Sequence, residues 1–111
     1  MDILTPRKIK FKAWNTEARL LMRLNSIDCE KGELQKANHV LLQFTGLYDK
    51  EGEEIYELDV LLVNYTQYVT FWNSDTLGWY YAPVKRMESK QPLTAAITGG
   101  MKRFCNYYEL R

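Results

Sequence analysis

Between Lys8 and Ala13 polar and apolar side chains alternate without a break: Lys8, Lys10 and Lys12 on one side, Ile9, Phe11 and Ala13 on the other. A period of two fits a half-buried β-strand, because successive side chains of an extended chain point to opposite faces. That reading puts the apolar trio on the core and the lysines in water, where a row of lysines also suits an exposed sheet edge that must not pair with other chains. Asn15-Thr16-Glu17 follows with turn chemistry, since an asparagine side chain can bond the backbone just ahead of it. Leu20, Met22 and Leu24 then oppose Arg19 and Arg23, which predicts a hairpin with Trp14 closing its end. A helix over residues 16–24 is the competing expectation, because Glu, Ala, Arg, Leu and Met are good helix formers.

The rest of the chain continues in short apolar runs separated by turn formers. Residues 25–38 are polar and read as a connecting loop with room for one helical turn. From His39 to Thr45 the run is continuously apolar enough to be covered on both faces, and Gly46 is expected to end it. Asp49-Lys50-Glu51-Gly52 reads as a turn in which Gly52 takes a positive φ. Glu54–Tyr56 and Val60–Val63 are further strands, with Asp59 accepting backbone N–H bonds just before the second. A second hairpin joins 68–72 to 79–84 across Asn73-Ser74-Asp75-Thr76-Leu77-Gly78, with Pro83 at a strand end. Leu93–Ile97 predicts a short helix stopped by Gly99-Gly100, and 103–108 a last strand. The sum is one mainly-β domain over residues 1–111.

Charge sorts into blocks that the net value of +1 conceals: +4 over residues 1–24, −6 over 25–59 and +3 over 60–111. Such blocks can meet an oppositely charged surface, including a second copy of the same chain. The balance excludes a globally basic nucleic-acid binder. No apolar run approaches the ~20 residues of a membrane helix, so no membrane partner is expected. The amino-terminal stretch lacks a basic region followed by an apolar one, which points to a cytoplasmic chain with Cys29 and Cys105 as free thiols.

Three segments resemble the YopX family of small phage and prophage proteins. Lys10-Phe11-Lys12-Ala13-Trp14-Asn15 is similar to the family's K-F-R-A-W-D, and the nineteen residues from Leu42 to Val60 are similar to Q-Y-T-G-L-K-D-K-N-G-K-E-I-Y-E-G-D-I. Asn106-Tyr107-Tyr108-Glu109 resembles a closing N-I-Y-E. Leu58 stands where the family carries glycine, which leaves the conformation of that turn open. The resemblance implies a mostly-β fold with a small, partly open barrel of the SH3 type and at most one or two short helices. It also implies self-assembly in a phage- or mobile-element-derived accessory protein, and it implies no activity. Phe11, Trp14, Gly46, Gly52, Tyr56, Asp59, Asn106 and Tyr108 then read as structural motif positions.

Chemistry has few footholds. The carboxylates Asp49, Glu51, Glu53, Glu54, Glu57 and Asp59 crowd a turn and a strand, without the facing pair across a cleft that glycoside hydrolysis needs. The turn departs from the calcium-loop pattern, and Thr98-Gly99-Gly100-Met101-Lys102 lacks the spacing of a phosphate loop. His39 opens a strand with no Ser or Cys companion nearby. No enzyme, metal or cofactor is expected. The best contact surface is the aromatic hairpin, with Trp72, Trp79 and Tyr80 followed by Lys85 and Arg86, a set that can stack bases and hold phosphates. A binding protein that pairs with itself is the leading expectation. A nucleic-acid module and an inhibitor of a host or defence protein are the alternatives, with a host or phage protein among the partners considered.

Overall fold

The computed structural model describes residues 4–110; Met1, Asp2 and Ile3, part of the amino-terminal stretch read above for a signal, and Arg111 lie outside the described residues. The first sheet has the order β2-β1-β5-β6, built from β1 (Phe11–Asn15), β2 (Leu20–Arg23), β5 (His39–Tyr48) and β6 (Glu54–Tyr56). The second has the order β10-β9-β8-β7-β11, from β7 (Asp59–Val63), β8 (Thr66–Asn73), β9 (Gly78–Pro83), β10 (Gln91–Pro92) and β11 (Lys102–Asn106). All pairings are antiparallel, and the sheets curl into a partly open half-barrel. The mainly-β expectation therefore holds. No helix among the described residues is long and apolar enough to cross a membrane.

Both hairpins form where the turn chemistry placed them. Asn15 Oδ1 accepts from the N–H groups of Glu17 and Ala18 at 3.0 and 2.9 Å, and β2 follows as a strand, so the helical alternative for 16–24 fails. Pro83 ends β9. The short helix α1 (Ala95–Thr98) is capped by the Thr94 hydroxyl, which accepts from Ile97 N–H at 3.3 Å, and Gly99 terminates it. It lies under a core cluster of Ile55, Leu61, Leu93 and Met101, with Tyr68, Trp79 and Tyr81 packed against it.

Four expectations need correction. β1 is not an edge, since β2 and β5 flank it, and of the three lysines Lys8 is exposed while Lys10 and Lys12 are half-buried. Lys10 and Lys12 share their face with the buried Trp14, and the opposite face is covered too, with Ala13 fully buried: the two ammonium groups lie 5.0 Å over the Phe44 ring and 4.6 Å over the Tyr56 ring, while Ile9, ahead of the strand, is 57% exposed. The loop at 25–38 contains a small exposed hairpin, β3 (Asp28–Glu30) with β4 (Glu33–Gln35). Gly46 does not end β5; at φ +88° it bends the strand through a register shift between Phe44 and Tyr48. The last strand stops at Asn106, whose side chain accepts from Tyr108 N–H while Glu109 accepts from Asn106 N–H, turning Tyr107–Glu109 into a capped 3₁₀ turn.

Candidate functional site

The acidic stretch is the most organised polar region. Asp49 is buried, and its carboxylate accepts from the backbone N–H groups of Glu51 (2.8 Å), Glu53 (2.9 Å) and Arg103 (2.8 Å), which makes the Gly52 turn and ties it to β11. Burial alone would raise this carboxyl, but those three donors and Lys102 hold it below the usual aspartate value. Asp59 is fully buried at the start of β7. It accepts from Tyr56 N–H at 2.7 Å, from Arg103 Nε at 3.0 Å and from the Asn106 amide at 3.2 Å. Burial pushes its carboxyl up, against the pull of Arg103, Tyr56 N–H and Asn106. Lys102 pairs with Asp49, Glu51 and Glu53, and Arg103 also reaches Glu53. The stretch is thus a clasp that fastens β5, β6 and β7 to β11.

The motif positions converge on this clasp or beside it. Tyr56 is buried, its hydroxyl donating to Glu54 Oε1 at 3.0 Å; burial first, and that carboxylate second, push the phenol up to about 12. Trp14 stacks on Tyr108 at 5.5 Å and 15°. Phe11 is half-buried on the opposite face of β1. Leu58, at the family's glycine position, sits at φ +64°, so the turn uses the left-handed conformation with a leucine in it.

The aromatic hairpin does not assemble the set read from the sequence. Trp72 and Trp79 pair across the strands at 5.2 Å and 77°, with Trp79 against the core and Trp72 40% exposed. Tyr80 points to the other face, beside Phe71 at 6.4 Å. Lys85 and Arg86 follow β9 at the open end of the hairpin, roughly 20 Å along the strand from Trp79 at ~3.3 Å per residue. Stacking surface and cations are therefore at opposite ends. His39 Nδ1 contacts the carbonyl of Ala37 at 2.7 Å, Cys29 is exposed and Cys105 half-buried, both as free thiols.

The region that the sequence reading missed is the lysine face of β1. A groove of about 810 Å³ runs beside it, lined among others by Lys10, Lys12, Arg23, Asn25, Ser26 and Tyr56. Lys10 is neutralised by Glu54, whose carboxyl the Lys10 bond holds down. Lys12 and Arg23 are in register across β1–β2, so their side chains share one face, and neither has a carboxylate partner among the described residues. Burial, then Arg103, lower the Lys12 ammonium from its usual value. The one local signal for this face was Trp14, in phase with Lys10 and Lys12.

A solved structure with the same fold is the crystal structure of protein EF1440 from Enterococcus faecalis, at TM-score 0.65 and 18% identity, covering 92% of this chain and 94% of that one. At that identity the likeness shows the fold. No curated protein is similar enough to count as a match. The family model described as YopX protein matches residues 5–98, from ahead of β1 through α1, leaving the Asn106–Glu109 segment beyond the matched range. With that span matched, this chain belongs to the YopX family.

Proposed function

We propose that this chain acts by binding, without turning over a substrate, and that its partner is a polyanion, single-stranded nucleic acid above all. The supporting observation is an asymmetry of compensation. Asp49, Glu51, Glu53, Glu54 and Asp59 are all ion-paired within the chain by Lys10, Lys102 and Arg103. Arg7, Lys8, Lys12, Arg19 and Arg23 of the amino-terminal block have no carboxylate partner among the described residues. Five of the nine carboxylates in the −6 segment are paired by cations from the segments on either side, whereas Lys10 is the one paired cation of the six in the +4 segment among the described residues, so that block stays open to an anion. This moves the nucleic-acid reading from the aromatic hairpin to β1–β2, in a cytoplasmic accessory protein of phage or mobile-element origin.

The same pairing takes Asp49, Glu51, Glu53, Glu54 and Asp59 out of any electrostatic contact between copies and leaves that role to Asp28, Glu30 and Glu33 on the exposed β3–β4 hairpin. A homo-oligomer would also draw on apolar contacts, such as Phe104, 53% exposed on the edge strand β11. Light scattering at high protein concentration measures that independently: a stable dimer supports it and a monomer removes it. The polyanion reading is tested by anisotropy with a labelled single strand at about 50 mM salt. Saturable binding that weakens steeply with salt is expected. Absence of binding at that ionic strength overturns it.

A further inference from the structure

We propose that the groove beside β1 seats a nucleotide phosphate, held between Lys12 and Arg23 with the nucleoside lying along the apolar wall of Ile9 and Ile27. This rests on the polyanion reading for its partner class, and on four separate features of the groove for its place.

First, Lys12 is a half-buried cation that the protein solvates with an aromatic ring and not with a carboxylate. Such a charge gains from an incoming anion more than an exposed lysine does, because less water screens the contact. Second, Arg23 stands opposite it in the β1–β2 ladder on the same face, which supplies the flat, multi-donor group suited to phosphate oxygens. Third, the segment following β2 brings Asn25 and Ser26 to the groove, and neither side chain makes a hydrogen bond within the described residues. They are donors without an internal task. Fourth, about 810 Å³ is more than a bare phosphate occupies and falls within the ~300–1,000 Å³ of small-molecule sites. Ile9, 57% exposed, and the half-buried Ile27 supply apolar surface for a planar base. The pairing of Lys10 with Glu54 bounds the anion seat on one side, leaving Lys12 and Arg23 as its cations.

The phosphate can belong to a free mononucleotide or to a strand, and calorimetry on the full chain separates them. The ligands are adenosine monophosphate, adenosine, and a single-stranded oligothymidylate. The variants are Lys12→Met and Arg23→Met, with Lys85→Met as a control outside the groove. One-to-one binding of the monophosphate is expected, with little affinity for adenosine. Each of the two groove variants should bind at least about tenfold more weakly, as for loss of a charge-assisted bond. Lys85→Met should bind like the wild type. Equal affinity for adenosine and its monophosphate overturns the proposal, and so does an Arg23→Met variant that binds like wild type; Arg23 is exposed, so that variant folds even if Lys12→Met does not. A strand that binds while the monophosphate does not, with both groove variants unaffected, ends the seat and leaves the polyanion reading intact. A monophosphate that binds while the strand does not supports the seat and ends the polyanion reading.

Discussion

The clasp around Asp59 and the lysine face of β1 are both crowded with charge, and they end in opposite states. At the clasp every buried carboxylate has found donors: Asp49 three backbone N–H groups, Asp59 a guanidinium, an amide and a backbone N–H. At β1, Lys12 has an aromatic ring and Arg23 has water. The first region is chemistry directed at the chain itself, and the second is chemistry left for something else. A cluster of charge is therefore informative only after its internal partners have been subtracted.

Breaking the clasp should produce the largest effect. Asp59→Ala leaves Arg103, 12% exposed, without its buried partner and strips acceptors from Tyr56 N–H and the Asn106 amide; denaturant unfolding should show a loss of about 3–5 kcal/mol. Asp49→Ala is expected to cost about 2 kcal/mol, because the three N–H groups it serves lie nearer solvent. That contribution has a sign in pH. The folded Asp49 carboxyl lies below its ordinary value, so its stabilisation is present above about pH 4 and is lost as the pH falls through the lowered value. Asp59 acts in the opposite sense, since its raised carboxyl favours the fold at low pH and loses that contribution as the pH rises through the raised value. Acid titration of the wild type against Asp49→Ala should therefore converge at low pH; curves that stay parallel would contradict the account of Asp49.

At Leu58 the strain is in the backbone. Leu58→Gly should be more stable than Leu58→Ala by about 1 kcal/mol, because both remove the side chain and only alanine keeps the cost of φ +64°. The smallest effect is expected at the open region. Lys12→Met keeps the stem over Tyr56 and removes an unpaired charge, so thermal unfolding should shift by the equivalent of less than about 1 kcal/mol while anion binding falls. A large destabilisation there would make Lys12 a structural residue and dissolve the contrast between the two regions.

Much of the fold was legible because turns announce themselves locally. Asn15, Asp49-Lys50-Glu51-Gly52 and Asn73–Gly78 each carry their own hydrogen-bonding chemistry, and all three lie where chain reversals occur. The facing of β1 was harder. Period two identifies a strand without saying whether one side or both are covered; Ala13 is fully buried and Phe11 half-buried on the expected side, but the lysine side is covered as well. Trp14 was the residue that signalled the second covered face: it falls in phase with the lysines, and lysine stems can lie across aromatic rings while their charge stays solvated. The separation of Trp72 and Trp79 from Lys85 and Arg86 was also present in the sequence, since residues beside a hairpin turn and residues beyond its strand lie at opposite ends. The partners of the clasp were not. Asp49 and Lys102 are 53 residues apart, and only the pairing of β7 with β11 brings them together.

The claim that the open cations form the working surface is tested most directly by the salt dependence of single-strand binding in the wild type and in the Lys12→Met/Arg23→Met double variant. Two phosphate contacts fewer should weaken binding at low salt and flatten the log–log salt slope by about 1.4, from ~0.7 per contact on single strands. An unchanged affinity and an unchanged slope would contradict the assignment of the β1–β2 face.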